Sequence, residues 1–167
     1  MTSILGAISP HGVVNVKVRV PKVAASSKKR KLGNDKEEKK STVGTVTGHY
    51  FNFIASTIDI LDKYEEFKGS YLVMDNVPIH KNVDIRNYIE SRGYFCVYLP
   101  PYSPELNPIE QFWSVCKSKL KREPLLENET LTSRIRDACN SVLQSDLQGF
   151  CRYSVQKFDA CLNREPL

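Results

Sequence analysis

The chain has 167 residues, 41% of them apolar and 26% charged, which is enough length for one domain with a real core and an ordinary balance for a globular fold. No apolar run approaches the roughly 20 residues a membrane span needs, and the short apolar start (residues 1–9) has no basic leader, which argues against a signal peptide. Net charge is +5, but residues 26–41 (SSKKRKLGNDKEEKKS) hold seven Lys/Arg and three Asp/Glu, so the rest is nearly neutral and overall charge says little about nucleic acid.

The five cysteines, Cys96, Cys116, Cys139, Cys151 and Cys161, are odd in number and never spaced as CxxC. They read as reduced, mostly buried thiols of an intracellular protein rather than a zinc site. Asn128-Glu129-Thr130 fits a glycosylation sequon and reads as chance in such a protein.

In chain order, residues 4–9 read as a short strand and His11-Gly12 as a turn. Val14, Val16, Val18 and Val20 alternate with Asn15, Lys17 and Arg19, which predicts a half-buried strand and so a hairpin. Residues 22–43 are polar and low in complexity and predict a flexible surface loop. Within it, Lys28-Lys29-Arg30-Lys31 reads equally as a nuclear localisation signal or a solvated charge run. Phe51, Ile54, Ala55, Ile58 and Leu61 then fall on one helical face, predicting a helix over 48–65.

Tyr71-Leu-Val-Met74 predicts a buried strand ending in Asp75-Asn76. A helix is expected over 81–91, stopped near Gly93, and a strand over 94–98, stopped by Pro100-Pro101. Asn107 is a good N-cap and Pro108 suits the first helical position, with Ile109, Phe112, Trp113, Cys116 and Leu120 as the buried stripe. Phe112 and Trp113 read as core rather than as base-stacking groups. Helices follow over about 130–144, with Leu131, Ile135, Ala138 and Val142 inward, and over about 146–161. Strand–helix alternation after a hairpin implies a mixed sheet flanked by helices.

Two acids stand out. Asp75 ends a strand and Glu110 lies in the first turn of a helix that follows the next strand. Neighbouring strands would bring both to one sheet edge, where α/β folds place their sites. Gathered carboxylates suit Mg²⁺ or Mn²⁺, and such ions serve phosphodiester chemistry. Each acid also has a plain structural explanation: Asp75 can open a turn, and Glu110 stands at the capping-box position three residues after Asn107. Glu110, Ser114, Lys117 and Lys121 share one helical face. With Lys119 and Arg122 it could meet DNA phosphates or simply be solvated. His80 reads first as a cap for the next helix and second as a neighbour of the site.

The strings YLVMDNVPIH (71–80) and LPPYSPELNPIEQFW (99–113) resemble the two signature segments of mariner-type DDE transposases, and 34 residues separate Asp75 from Glu110, a spacing typical of that superfamily. The hairpin, with Gly6-Ala-Ile-Ser-Pro-His-Gly12, also resembles the family's second and third strands. The resemblance implies an α/β, RNase H-like mixed sheet flanked by helices. It implies metal-dependent cutting and joining of DNA, with Asp75 and Glu110 as the second and third acids of the metal-binding triad and Asn76, His80 and Asn107 around them. DNA is the implied partner, with self-association open; no membrane or small-molecule substrate is implied, and the nucleus is the implied location.

The resemblance further implies an N-terminally truncated catalytic domain over 1–167. The family's first strand and first Asp have no counterpart, since Asp35 lies in the charged loop and Asp59 and Asp62 lie on a helix. Two carboxylates should hold Mg²⁺ or Mn²⁺ weakly, so this chain alone is expected not to cleave DNA. A non-catalytic DNA-binding or interaction module, or a decayed gene fragment, is the alternative. The strands flanking the missing one are expected to close up, to leave the chain poorly stable alone, or to take a strand from a partner.

Overall fold

A computed structural model describes residues 3–19, 42–122, 124 and 129–165, without side-chain detail for 42–46. Most of the expected flexible loop and all of the Lys28–Lys31 run therefore lie outside the described residues.

Strand β1 (Ser3–Ser9) pairs antiparallel with β2 (Gly12–Arg19), as the hairpin reading requires. The alternation in β2 is not simple. The register shifts between Ala7 and Ile8, so that Ala7 faces Asn15 while Ile8 faces Val13, leaving Val14 as the extra residue of a bulge. The bulge redirects side chains. Leu5, Ala7 and Val14 pack into one core, whereas Ile4, Ile8, Val13, Val16 and Val18 pack into a second. Asn15, expected on a solvent face, instead donates to Ser56 Oγ at 3.1 Å and Thr57 Oγ1 at 3.0 Å. The hairpin is thus a wall with a core on each side.

Helix α1 (Thr42–Leu61) forms the first core and begins six residues before the expected start, inside the span read as a loop. Its buried face is wider than the sequence stripe: Tyr50, Phe53 and Thr57 join Ile54, Ile58 and Leu61, while Phe51 and Ala55 are only partly covered. Strand β3 (Tyr71–Met74) pairs in parallel with β4 (Phe95–Tyr98), joined through α2 (Val83–Ser91). Asn82 caps α2, its side chain accepting from Asp84 N at 2.8 Å, and Gly93 takes φ 83° just beyond it, a conformation that suits glycine. Leu72, Met74, Cys96 and Tyr98 face the α1–α2 core. Tyr71, Val73, Phe95 and Val97 are exposed, so β3 is not the fully buried strand expected.

Helices α3 (Pro108–Arg122), α4 (Leu131–Asn140) and α5 (Gln144–Leu162) build the second core around Phe112, Cys116, Ile135, Cys139, Val142 and Leu147. Leu131, expected inward, is 45% exposed because it opens α4 one turn short of the packed stripe. Of the cysteines, Cys116 and Cys139 are buried, Cys96 and Cys151 half-buried and Cys161 exposed, all free; burial pushes the Cys151 thiol up. Gly6 in β1 allows a close approach between the hairpin and α3, since a Cβ there would stand 2.5 Å from Trp113 Cζ2. Trp113 also lies 5.0 Å from Phe112 ring to ring, so both aromatics of the signature segment are core groups.

The expected mixed sheet appears as two pairs, β1–β2 and β3–β4. Among the described residues no ladder joins them, and the flanking strands do not close up. They are held together by side chains that share the α1 core.

Candidate active site

The parallel register sets Met74 beside Tyr98, and Leu99 N donates to Met74 O at 2.8 Å, so the C-terminal ends of β3 and β4 lie level. Asp75 follows one end directly. The other leads through a turn, Pro104–Leu106, into α3 and Glu110. Both acids therefore belong to one edge of the β3–β4 pair, where strand carbonyl ends and helix starts create a polar rim. In the turn, Tyr102 is fully exposed and adopts φ 58°, left-handed for a residue with a Cβ; nothing in the sequence pattern singles it out.

The plain explanation for Glu110 does not hold. Asn107 N–H donates to Pro104 O at 3.0 Å rather than to the Glu110 carboxylate, so the reciprocal half of a capping box is already occupied. Asn107 does cap α3 loosely, its Oδ1 accepting from Ile109 N at 3.4 Å. Glu110 is exposed, and no hydrogen bond or ion pair ties its carboxylate among the described residues.

Asp75 is held differently. Its Oδ1 lies against His80 Nδ1, both atoms are shut off from solvent, and neither has a hydrogen-bond partner among the described residues. The Asp75 side chain as a whole is 48% exposed, so the carboxylate is clamped on one side and open on the other. His80 is not the cap of α2, because Asn82 does that work; it is a neighbour of Asp75. Its ring stacks on Tyr50 at 4.4 Å and 24°, and its backbone carbonyl accepts from Tyr98 Oη at 3.0 Å. Burial first, and then the Asp75 charge, push the Tyr50 phenol above its ordinary value. Asn76 Oδ1 is buried with no donor among the described residues.

On α3, Ser114, Lys117, Lys121 and Arg122 lie at the surface with Glu110. Lys119 is committed elsewhere: its Nζ donates to Ser141 O at 2.9 Å and to Ser141 Oγ at 2.8 Å, closing the end of α4. Lys119 and Arg122 also line a cleft of about 370 Å³ between α3 and α4, with Arg134 and Ser141.

The sequence profile of a family described as DDE superfamily endonuclease matches residues 33–132, a span holding both acids and His80. The chain belongs to that family. Its fold is similar to that of the Mos1 mariner transposase catalytic domain. One such structure, of the Mos1 transposase catalytic domain and raltegravir with Mn, superposes with a TM-score of 0.72 at 12% identity, covering 98% of this chain and 74% of that one. A crystal structure of the Mos1 mariner transposase catalytic domain gives 0.68 at 13% identity, covering 98% and 73%. No curated protein matches. The likeness establishes the RNase H-like fold expected from the two signature segments.

Membership in this family implies use of a divalent metal, and the donor chemistry fits one in part. Asp75 and Glu110 offer hard oxygens at one edge, with the buried, donorless Asn76 Oδ1 beside Asp75. Among the described residues, however, no group of three or more His, Cys, Asp or Glu side chains gathers into a ligand set. No described helix is long and apolar enough to cross a membrane.

Proposed function

We propose that this chain is part of the DNA-cutting and joining domain of a transposition enzyme, inactive by itself, with Asp75 and Glu110 as carboxylate ligands for Mg²⁺ or Mn²⁺. The observation that carries the reading is the pair of acids at one edge of β3–β4, neither of them absorbed by a turn or a cap. A divalent ion held there would activate a water or 3′-hydroxyl and neutralise charge on the leaving oxygen. The chain's own part is to present and orient. His80 holds one side of Asp75, and the turn at Pro104–Leu106 sets the start of α3 so that Glu110 stands free. Lys117, Lys121 and Arg122, at the surface of the same helix, suit the phosphate backbone.

With two carboxylates the site should hold metal weakly. A DNA-binding module without catalysis is the second reading, favoured by the lack of a three-ligand group among the described residues. Mn²⁺ binding separates the two, because neither reading has this chain alone cut plasmid. The full chain is expected to bind Mn²⁺ weakly, to lose that binding in Asp75→Ala and in Glu110→Ala, and to leave supercoiled plasmid intact. Strong Mg²⁺-dependent nicking abolished by Asp75→Ala would exclude the module, whereas absence of both Mn²⁺ and duplex binding would exclude the enzyme reading. Replacing Lys117, Lys121 or Arg122 by Gln should lower duplex affinity regardless of sequence. Each such replacement should also reduce the salt slope by about 1, because one phosphate fewer is neutralised. For location we propose the nucleus, on the Lys28–Lys31 run; a reporter fused to residues 22–43 that stayed cytoplasmic would remove that support. Self-association is checked by sedimentation across a concentration series.

A further inference from the structure

We propose that Tyr50, far from Asp75 in sequence, is a positioning residue for it, acting through His80. The inference rests on the reading of Asp75 as a metal ligand. Tyr50 lies on α1 and is buried in the first core. Its ring covers the face of the His80 imidazole at 4.4 Å, and its hydroxyl reaches Met74 Sδ at 3.3 Å. Met74 is the residue before Asp75, and His80 is the group against Asp75 Oδ1. One side chain from α1 thus touches what lies on either side of the carboxylate. The backbone of His80 is held from a third direction by the Tyr98 hydroxyl of β4.

The consequence is geometric. Asp75 follows directly on the end of β3, where a short side chain would otherwise sample its rotamers. An imidazole that can move gives no fixed orientation to its partner. An imidazole stacked on a core ring and pinned at its carbonyl can. His80 then keeps Oδ1 buried and leaves the other side of the carboxylate facing outward, where a ligand oxygen must be. Groups that orient a metal ligand in this way typically change metal affinity about 10–100-fold when removed. Stacking needs the aromatic face and not the hydroxyl, which allows the role to be separated from simple core filling.

The test uses the full chain, isotopically labelled, without metal and then with Mn²⁺. Only three histidines are present, His11, His49 and His80, so His80→Gln assigns the His80 ring signals. In wild type and Tyr50→Phe these signals should be displaced by the stacked ring. Tyr50→Leu, which keeps an apolar group in the core, should return the ring signals to free-histidine positions. It should also weaken Mn²⁺ binding about tenfold, as His80→Ala does, and the double variant should be no worse than either single one. A Tyr50→Leu protein with wild-type ring shifts and wild-type Mn²⁺ affinity would overturn the proposal. So would a Tyr50→Phe protein as impaired as Tyr50→Leu, which would assign the effect to the Met74 contact. If the chain binds no Mn²⁺ at all, the metal reading fails, while the metal-free ring signals still decide whether Tyr50 holds His80 against Asp75.

Discussion

The two strand pairs of this molecule are built from similar residues and are covered very differently. Both faces of β1–β2 are packed, one on α1 and the other on α3, α4 and α5. The β3–β4 pair is packed on one face only, with Tyr71, Val73, Phe95 and Val97 turned out and Tyr71 and Phe95 meeting ring to ring at 5.2 Å. Parallel strands are usually covered on both faces, so an open face here is unusual. The hairpin joins the two cores and carries no candidate chemistry. The half-covered pair carries Asp75 and leads to Glu110. On the proposed reading of Asp75 and Glu110, stability and chemistry are divided between the two pairs, and the division can be tested.

The largest effect is expected in the core that the hairpin closes. Phe112→Ala should cost about 3–5 kcal/mol in urea unfolding, because the ring is wholly buried and its neighbours cannot collapse into the space. A loss under about 1 kcal/mol would mean that the second core is not packed as described. Next comes the contact between the hairpin and α3. Gly6→Ala would drive a Cβ into the Trp113 ring, with an expected cost of about 1–3 kcal/mol. Adding Trp113→Phe should recover part of that loss, and purely additive losses would place the clash elsewhere.

A third test concerns the α1–α2 side that supports β3–β4. Arg92 meets both Asp59 and Asp62, and the Tyr94 hydroxyl donates to Asp62 at 2.7 Å. The Arg92 guanidinium and then the Tyr94 hydroxyl hold the Asp62 carboxyl below its ordinary value, while burial first and then Asp62 push the Tyr94 phenol up to about 12. A carboxylate with a lowered folded value binds protons less readily than in the unfolded chain. Its stabilisation is present above the ordinary carboxylate range and is lost as pH falls through that range and below it. Asp62→Asn should therefore narrow its deficit relative to wild type as pH drops below about 4. A deficit that stays constant with pH would sever the link.

The smallest effect is expected on the open face. Val73→Thr and Val97→Thr should each change stability by no more than about 0.5 kcal/mol, since both positions are exposed. A loss comparable to that of Phe112→Ala would show that this face is covered in solution and would erase the contrast between the two pairs.

Much of the site is legible in the sequence because local rules write it. A strand running into Asp-Asn, and a Pro-rich turn into Asn-Pro-Ile-Glu, each put an acid at an element boundary, and the structure puts both boundaries on one edge. Tyr50 escapes such a reading for an equally physical reason. It meets a histidine far along the chain, and helical periodicity shows only that a residue is buried, not what its ring will cover. The bulge at Val14 also escapes, since it depends on which core each face of the hairpin meets.

What the sequence by itself determined is the order of elements, the family, and the two carboxylates with their flanking turns. Those follow from neighbours in the chain: an apolar run, a cap, a proline at a first helical position. Only the tertiary structure decided that His80 supports Asp75 instead of capping α2, that Lys119 closes α4, that Asn15 faces inward, and that β1–β2 and β3–β4 stand as separate pairs. Each of those is a choice between partners far apart in sequence, and it is settled by which surfaces α1 and α3 bring within reach.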